Sequence, residues 1–378
     1  MSKKIWIISG ISAFTIIILI AAVLLIQQNN KPKKVVESFT EAVKKKDSSQ
    51  LKDLIQPDKK GAIVNNASIK AFASYLNSNN SSFEAIKDGL KEQIEDKSFS
   101  ATNQQVSLVE SGKKWGIFKE YRLKVKTGFI KVTGHNDDDD ISITIDELKE
   151  SVRESKKDTY GPLLPGTYEI VTTVQNKLGT FMKKDKLDVW GGSKEITLVV
   201  DPNVLVRGDK DVQKAVMSAV DIFNYDLTVF ETSGFDTDKF TNVTDAIKND
   251  TSIAKDNFAT IEDFVDEIHS QYLGAVINLD ELDISYFDNQ WIAEAEALVS
   301  YKNKMRIKNQ KKLEDFSYKS MRVYSLIYNA DKKKWLIDDI KETDADGAEQ
   351  ENWDNKQEMK IKNPKLLTWN RKDSGEKF

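Results

Sequence analysis

Residues 5–26 contain no charged side chain, and no other feature of this 378-residue chain constrains its architecture so strongly. The run begins at Ile5 and ends at Ile26, with Lys3 and Lys4 before it and Lys31, Lys33 and Lys34 after it. As a helix rising about 1.5 Å per residue it spans roughly 33 Å, enough to cross a hydrocarbon core of about 30 Å. The expectation is a single-pass membrane anchor with its ends at Ile5 and Ile26, and with the Trp6 indole at the interface. A cleaved signal peptide fits less well: the run is longer than the usual apolar core of about 7–15 residues. Its exit, Leu24-Leu25-Ile26-Gln27-Gln28-Asn29, also has no small-x-small cleavage site. Lysines flank both ends, so the positive-inside rule does not choose an orientation. The head at 1–4 has no room for a domain, which places all of the remaining chain on one side.

The chain has no cysteine, which suits an exported bacterial protein and removes disulfides and thiol chemistry from consideration. Its 56 basic and 60 acidic residues nearly balance. A nucleic-acid-binding protein would show a basic domain, so that class is not expected.

Residues 27–34 read as a polar linker whose lysines lie close enough to touch anionic head groups. Helical spacing follows in 35–126: Val35, Phe39 and Val43; Leu51, Leu54 and Ile55; Ile69, Phe72, Ala73 and Leu76; Phe83, Ile86, Leu90 and Ile94. Ser81 with Glu84 matches a capping box. A hairpin is expected to close this unit, turning at Ser111-Gly112-Lys113. From 127 to 201 the period becomes that of strands, and 146–157 reads as a surface helix or polar insertion. Pro165-Gly166 presets a turn into the strand at 167–174.

The unit at 202–343 opens with two helices, one marked by Val212, Val216, Val220 and Phe223, the other by Ile253, Phe258, Ile261, Phe264, Val265, Ile268 and Tyr272. Four strands follow, at 275–286, 291–305, 316–328 and 334–340. Helices followed by an antiparallel meander give an α+β domain with a curved sheet around helices. Trp291, Ala293, Ala295, Ala297, Val299 and Tyr301 share one strand face, where the alanines leave room for a packed helix or for a cavity. Trp291, Tyr301, Tyr324 and Trp335 are the candidate lining of such a pocket, although aromatics at this spacing commonly form plain core. Residues 344–378 read as a charged tail, whose basic stretch with Met359, Ile361, Trp369 and Arg371 either meets anionic wall polymer or is disordered.

The search for reaction chemistry is negative. With His135 and His269 as the two histidines and no cysteine, neither a Cys–His pair nor a structural zinc site can be assembled. The turn Asp137-Asp138-Asp139-Asp140 offers oxygen ligands but lacks the glycine and glutamate of a calcium loop, so a solvated acidic turn is the preferred reading. No phosphate-binding glycine loop or nucleophile elbow is present. No catalytic, cofactor-binding or metal-ligating residue is assigned, and no cofactor is expected.

Two motifs carry a resemblance: Trp115-Gly116-Ile117-Phe118-Lys119-Glu120-Tyr121-Arg122-Leu123-Lys124-Val125 and Tyr160-Gly161-Pro162-Leu163-Leu164-Pro165-Gly166. With the order of anchor, helical unit, β unit and helix-then-strand unit, the chain resembles the TcaA family of Gram-positive, teicoplanin-resistance-associated envelope proteins over nearly its full length. The resemblance implies an extracytoplasmic body and a last domain of the nuclear-transport-factor-like (NTF2-like) cone fold. It also implies a link to the cell envelope and to glycopeptide susceptibility. Many members carry a cytoplasmic zinc ribbon before the anchor, where this sequence has Met1-Ser2-Lys3-Lys4. The combined expectation is a non-enzymatic, membrane-anchored envelope protein. Its expected partners are membrane lipid, peptidoglycan or anionic wall polymer, and membrane proteins, with no nucleic acid among them. The alternative is a small-molecule sensor or enzyme built on a pocket in the cone.

Overall fold

The computed structural model describes residues 31–114, 118–190 and 195–371. The apolar run ending at Ile5 and Ile26 lies outside the described residues. Among the described residues no helix is long and apolar enough to cross a membrane.

Short polar side chains start the helices. Asp47, Asn65, Asp201 and Asp209 each stand just before a helix, in extended backbone, and accept hydrogen bonds from first-turn N–H groups that would otherwise lack partners. At Asn65 the arrangement is reciprocal, because the Ser68 hydroxyl accepts from the Asn65 N–H. The capping box expected at Ser81 is absent: that helix begins earlier, at Asn80, so Ser81 lies inside its first turn.

The chain divides into two compact units. Of the described residues, the first holds those between 31 and 135, 140–174, and those between 182 and 200. Helices Pro32–Lys45, Ser48–Leu54, Asn66–Ser78 and Asn80–Glu95 converge there on a three-stranded sheet in the order Ile55–Pro57, Phe118–Val125, Val106–Lys114. Phe39, Leu51, Phe72, Leu76 and Leu90 are fully buried between them. Gly112 does not turn the chain. It sits at a register shift within the strand Val106–Lys114, at φ +141°, a backbone conformation that favours glycine. Two four-stranded sheets make up the β part. Leu164 inserts into the helical core and Tyr75 stacks on Trp190 at 4.8 Å, so the two parts expected as separate domains, 35–126 and 127–201, share contacts within one unit. The stretch 146–157 contains no helix; it carries the short strands Glu150–Ser151 and Glu154–Lys156.

The second unit holds 136–139, 175–181 and, of the described residues, 201–371. Its helices are Pro202–Gly208, the long helix Lys210–Glu231, and Asp245–Ile261. Five strands form the main sheet in the order Lys334–Ala345, Tyr318–Asn329, Gln290–Tyr301, Tyr272–Phe287, Lys356–Lys360. The helix expected to run to Tyr272 stops at Ile261, and Val265–Ser270 is a strand. A register shift between Val265 and Glu267 breaks the alternation, leaving Val265 and Ile268 buried three residues apart, a spacing that mimics a helix. His269 is therefore on a strand. The expected tail is also part of this unit. Lys356–Lys360 pairs with Tyr272–Phe287, Leu367–Asn370 pairs with Val265–Ser270, and the buried Trp369 meets Phe258 edge-on at 5.1 Å.

Candidate functional site

The face carrying Trp291, Ala293, Ala295, Ala297, Val299 and Tyr301 points into the core of the second unit, and every one of these residues is buried. The alanines are explained by the neighbouring strand. Ala293 lies opposite Leu326, Ala295 opposite Tyr324 and Ala297 opposite Arg322. Directly opposed residues have Cβ atoms only about 5 Å apart, so an alanine beside each large side chain leaves that side chain room to lie over the sheet. The vacated space is thus occupied from the next strand and from the long helix.

At its centre is a polar knot. The Asn224 carboxamide oxygen accepts from the Tyr301 hydroxyl at 2.6 Å, the Tyr324 hydroxyl at 2.9 Å and the Arg322 guanidinium at 2.9 Å. Its amide nitrogen donates to the Val220 carbonyl at 2.7 Å, which fixes the side chain against its own helix. Arg322 also donates to the Tyr301 hydroxyl at 3.0 Å, to Tyr318 at 3.2 Å and to Glu342 at 3.0 Å. Burial pushes the Tyr324 and Tyr318 hydroxyls up to about 12, and raises Tyr301 well above the usual phenol value. Burial pulls against the charge on Arg322, but the surrounding phenol oxygens and Glu342 prevail and hold the guanidinium protonated. Nearby, Tyr272 donates to Asp221 at 3.0 Å, and burial raises the carboxyls of Asp221 and of Glu231, which Ser270 reaches at 2.6 Å.

The four aromatics expected to line a pocket therefore have different fates. Tyr301 and Tyr324 belong to the knot, and Trp291 packs on Tyr286 at 5.4 Å. Trp335 lies beneath an open groove of about 510 Å³ on the outer face of the long helix, lined also by Phe181, Ala215, Ser218, Ile222 and Tyr328. Sequence reading did not single out Asn224 and Arg322, although both carried a signal. Asn224 is a polar residue one turn after Val220 on an apolar helix face, and Arg322 is a charge in phase with Tyr324 and Leu326 on their strand.

The acidic turn is tied into the second unit. Asp139, 8% exposed, accepts from the Asn136 N–H at 2.7 Å and from the Asn176 amide at 3.2 Å. Asp138 accepts from Lys177 at 2.9 Å and from the Tyr286 hydroxyl at 3.0 Å, and these two bonds hold its carboxyl below the usual range. His135 lies 3.1 Å from Asp158, and His269 lies 2.5 Å from Glu267, which also binds Arg306 at 2.6 Å. Among the described residues no cluster of histidine and carboxylate side chains is arranged to hold a metal ion.

With this geometry in view, two family models match the chain. Residues 32–125 match the TcaA protein second domain, and residues 216–341 match the YvbJ NTF2-like domain. The chain is thus similar to TcaA over the first stretch and to YvbJ over the second. A curated relative, the "Uncharacterized membrane protein YvbJ" of Bacillus subtilis (strain 168), is 22% identical over 160 residues, which make up 42% of this chain and 26% of the relative. The matched stretch thus spans about a quarter of that relative's length. No solved structure gives a significant match. The knot joins the long helix to the sheet of the NTF2-like domain, since Asn224, Tyr301, Arg322 and Tyr324 all fall within 216–341.

Proposed function

We propose that this TcaA/YvbJ-like chain is a membrane-anchored, extracytoplasmic envelope protein that binds partners at its surface and catalyses no reaction. The observation that carries the reading is the filled interior of the NTF2-like domain. A substrate inside the cone would have to displace Asn224 from three donors and take one acceptor from the buried Arg322 guanidinium. Surface recognition requires no such loss. Peptidoglycan or anionic wall polymer and neighbouring membrane proteins are the partner classes, and the effect on glycopeptide susceptibility that the resemblance implies would run through this binding.

Protease shaving of intact cells tests the orientation: the body is expected to be cut without lysis, and a body cut only after lysis overturns the outward assignment. For the binding claim, detergent-extracted full chain is expected to be retained on purified wall, less so after the anionic polymer is stripped. No retention in either case removes the wall as partner.

A further inference from the structure

We propose that a lysine-rimmed groove between the helices Pro32–Lys45 and Asn80–Glu95 seats anionic phospholipid head groups of the bilayer that holds residues 5–26. The inference rests on the anchor in the proposed function, and not on which way the body faces. The groove has a volume of about 590 Å³ and its lining carries Lys33, Lys44, Lys45, Lys87 and Lys91 against two carboxylates, Glu37 and Glu41, while Glu84 and Asp88 at its edge leave a smaller positive excess. Val36 and Ile94 give it an apolar floor. Long lysine stems over apolar surface, with ammonium groups at the rim, match the boundary between glycerol and phosphate in a lipid monolayer.

The rim is held in place. Lys87, whose side chain is only 16% exposed, lies 5.2 Å over the Phe83 ring and is bonded to Glu84 at 2.6 Å. Lys45 is bonded to Glu41 at 2.6 Å and Lys91 to Asp88 at 3.1 Å. Lys33 and Lys44 form no ion pair among the described residues, so their charges are available to an outside anion. Covalent connection decides between a bilayer and a soluble polymer. Lys33 follows Ile26 by seven residues, a reach of at most about 25 Å, so head groups stand at high effective concentration beside the groove. A wall polymer has no such tether.

The test uses the full chain in nanodiscs of phosphatidylcholine with or without phosphatidylglycerol, with lysine acetylation read by mass spectrometry. Labelling of the five rim lysines is expected to fall about threefold with phosphatidylglycerol, and to recover at 1 M salt, where the screening length is about 3 Å. The exposed Lys149 and Lys157, outside the groove, should not change. Equal labelling in both discs overturns the lipid site alone. A chain that fails to enter the discs overturns the site together with the anchor. Protection by added polyglycerol phosphate, with none from phosphatidylglycerol, assigns the groove to wall polymer and overturns the lipid assignment.

Discussion

Asn224 and Arg322 meet in one hydrogen bond, yet their removal should have very different consequences. The Asn224 oxygen takes three donors, all buried, so Asn224→Leu strands the Tyr324 hydroxyl, leaves Tyr301 only the Asn224 backbone carbonyl at 3.4 Å, and weakens a buried guanidinium. At about 1–3 kcal/mol for each unsatisfied buried group, and allowing for partial rearrangement, the expected loss is about 3–5 kcal/mol. Arg322→Met removes a charge whose carboxylate partner, Glu342, is 44% exposed and returns to water, while Tyr301 and Tyr324 still donate to Asn224. Losing a buried cation also relieves its desolvation cost, so about 1 kcal/mol or less is expected. Urea denaturation followed by tyrosine and tryptophan fluorescence checks both, and a loss at Arg322 equal to or larger than that at Asn224 would mean that the amide is not the hub of the knot. Neither residue stands out in the sequence as the hub, because a lone Asn or Arg in an apolar pattern shows that burial is unusual without naming its partner.

Among the elements, helix starts were only partly legible. Ser81 and Glu84 have the spacing of a capping box but the helix has already begun, whereas Asn65 and Ser68 make the reciprocal bonds. Asn65→Ala is therefore expected to cost about 1 kcal/mol and Ser81→Ala a few tenths, as read from the melting temperature of the first unit. The strand Val265–Ser270 was hidden for a geometric reason: its register shift spaces buried residues as a helix would, and Ile261 and Phe264 just before it extend the pattern while remaining exposed. The strand Gln290–Tyr301 was legible from alternation alone. Its alanines, however, acquire meaning only from register, which places them beside Leu326, Tyr324 and Arg322.

Across the whole molecule, chain order and structural unit do not coincide. Segments 136–139 and 175–181 belong to the second unit although their flanking sequence belongs to the first. Phe181, 6% exposed, joins the hydrophobic core that contains Val206, Val212 and Trp335. A fragment beginning at residue 202 would lack it, and Phe181→Ala in the full chain should destabilise the second unit by about 3 kcal/mol. Hydrogen exchange resolves this by unit: protection should fall in Lys334–Ala345 and stay unchanged in Asn66–Ser78, and a uniform fall would contradict the division. What the sequence determined by itself was the class of most stretches, because apolar periodicity and turn residues are local properties: helices to 95, strands from 106, then helices followed by a meander, with 146–157, 265–270 and the tail as the exceptions. Only tertiary structure decided that the cone is filled, that the tail completes two sheets and that Asp138 and Asp139 of the acidic turn are bonded to Lys177, Tyr286 and Asn176. Each of those depends on which side chains meet across long separations, and strand register and packing set those meetings without leaving a local trace.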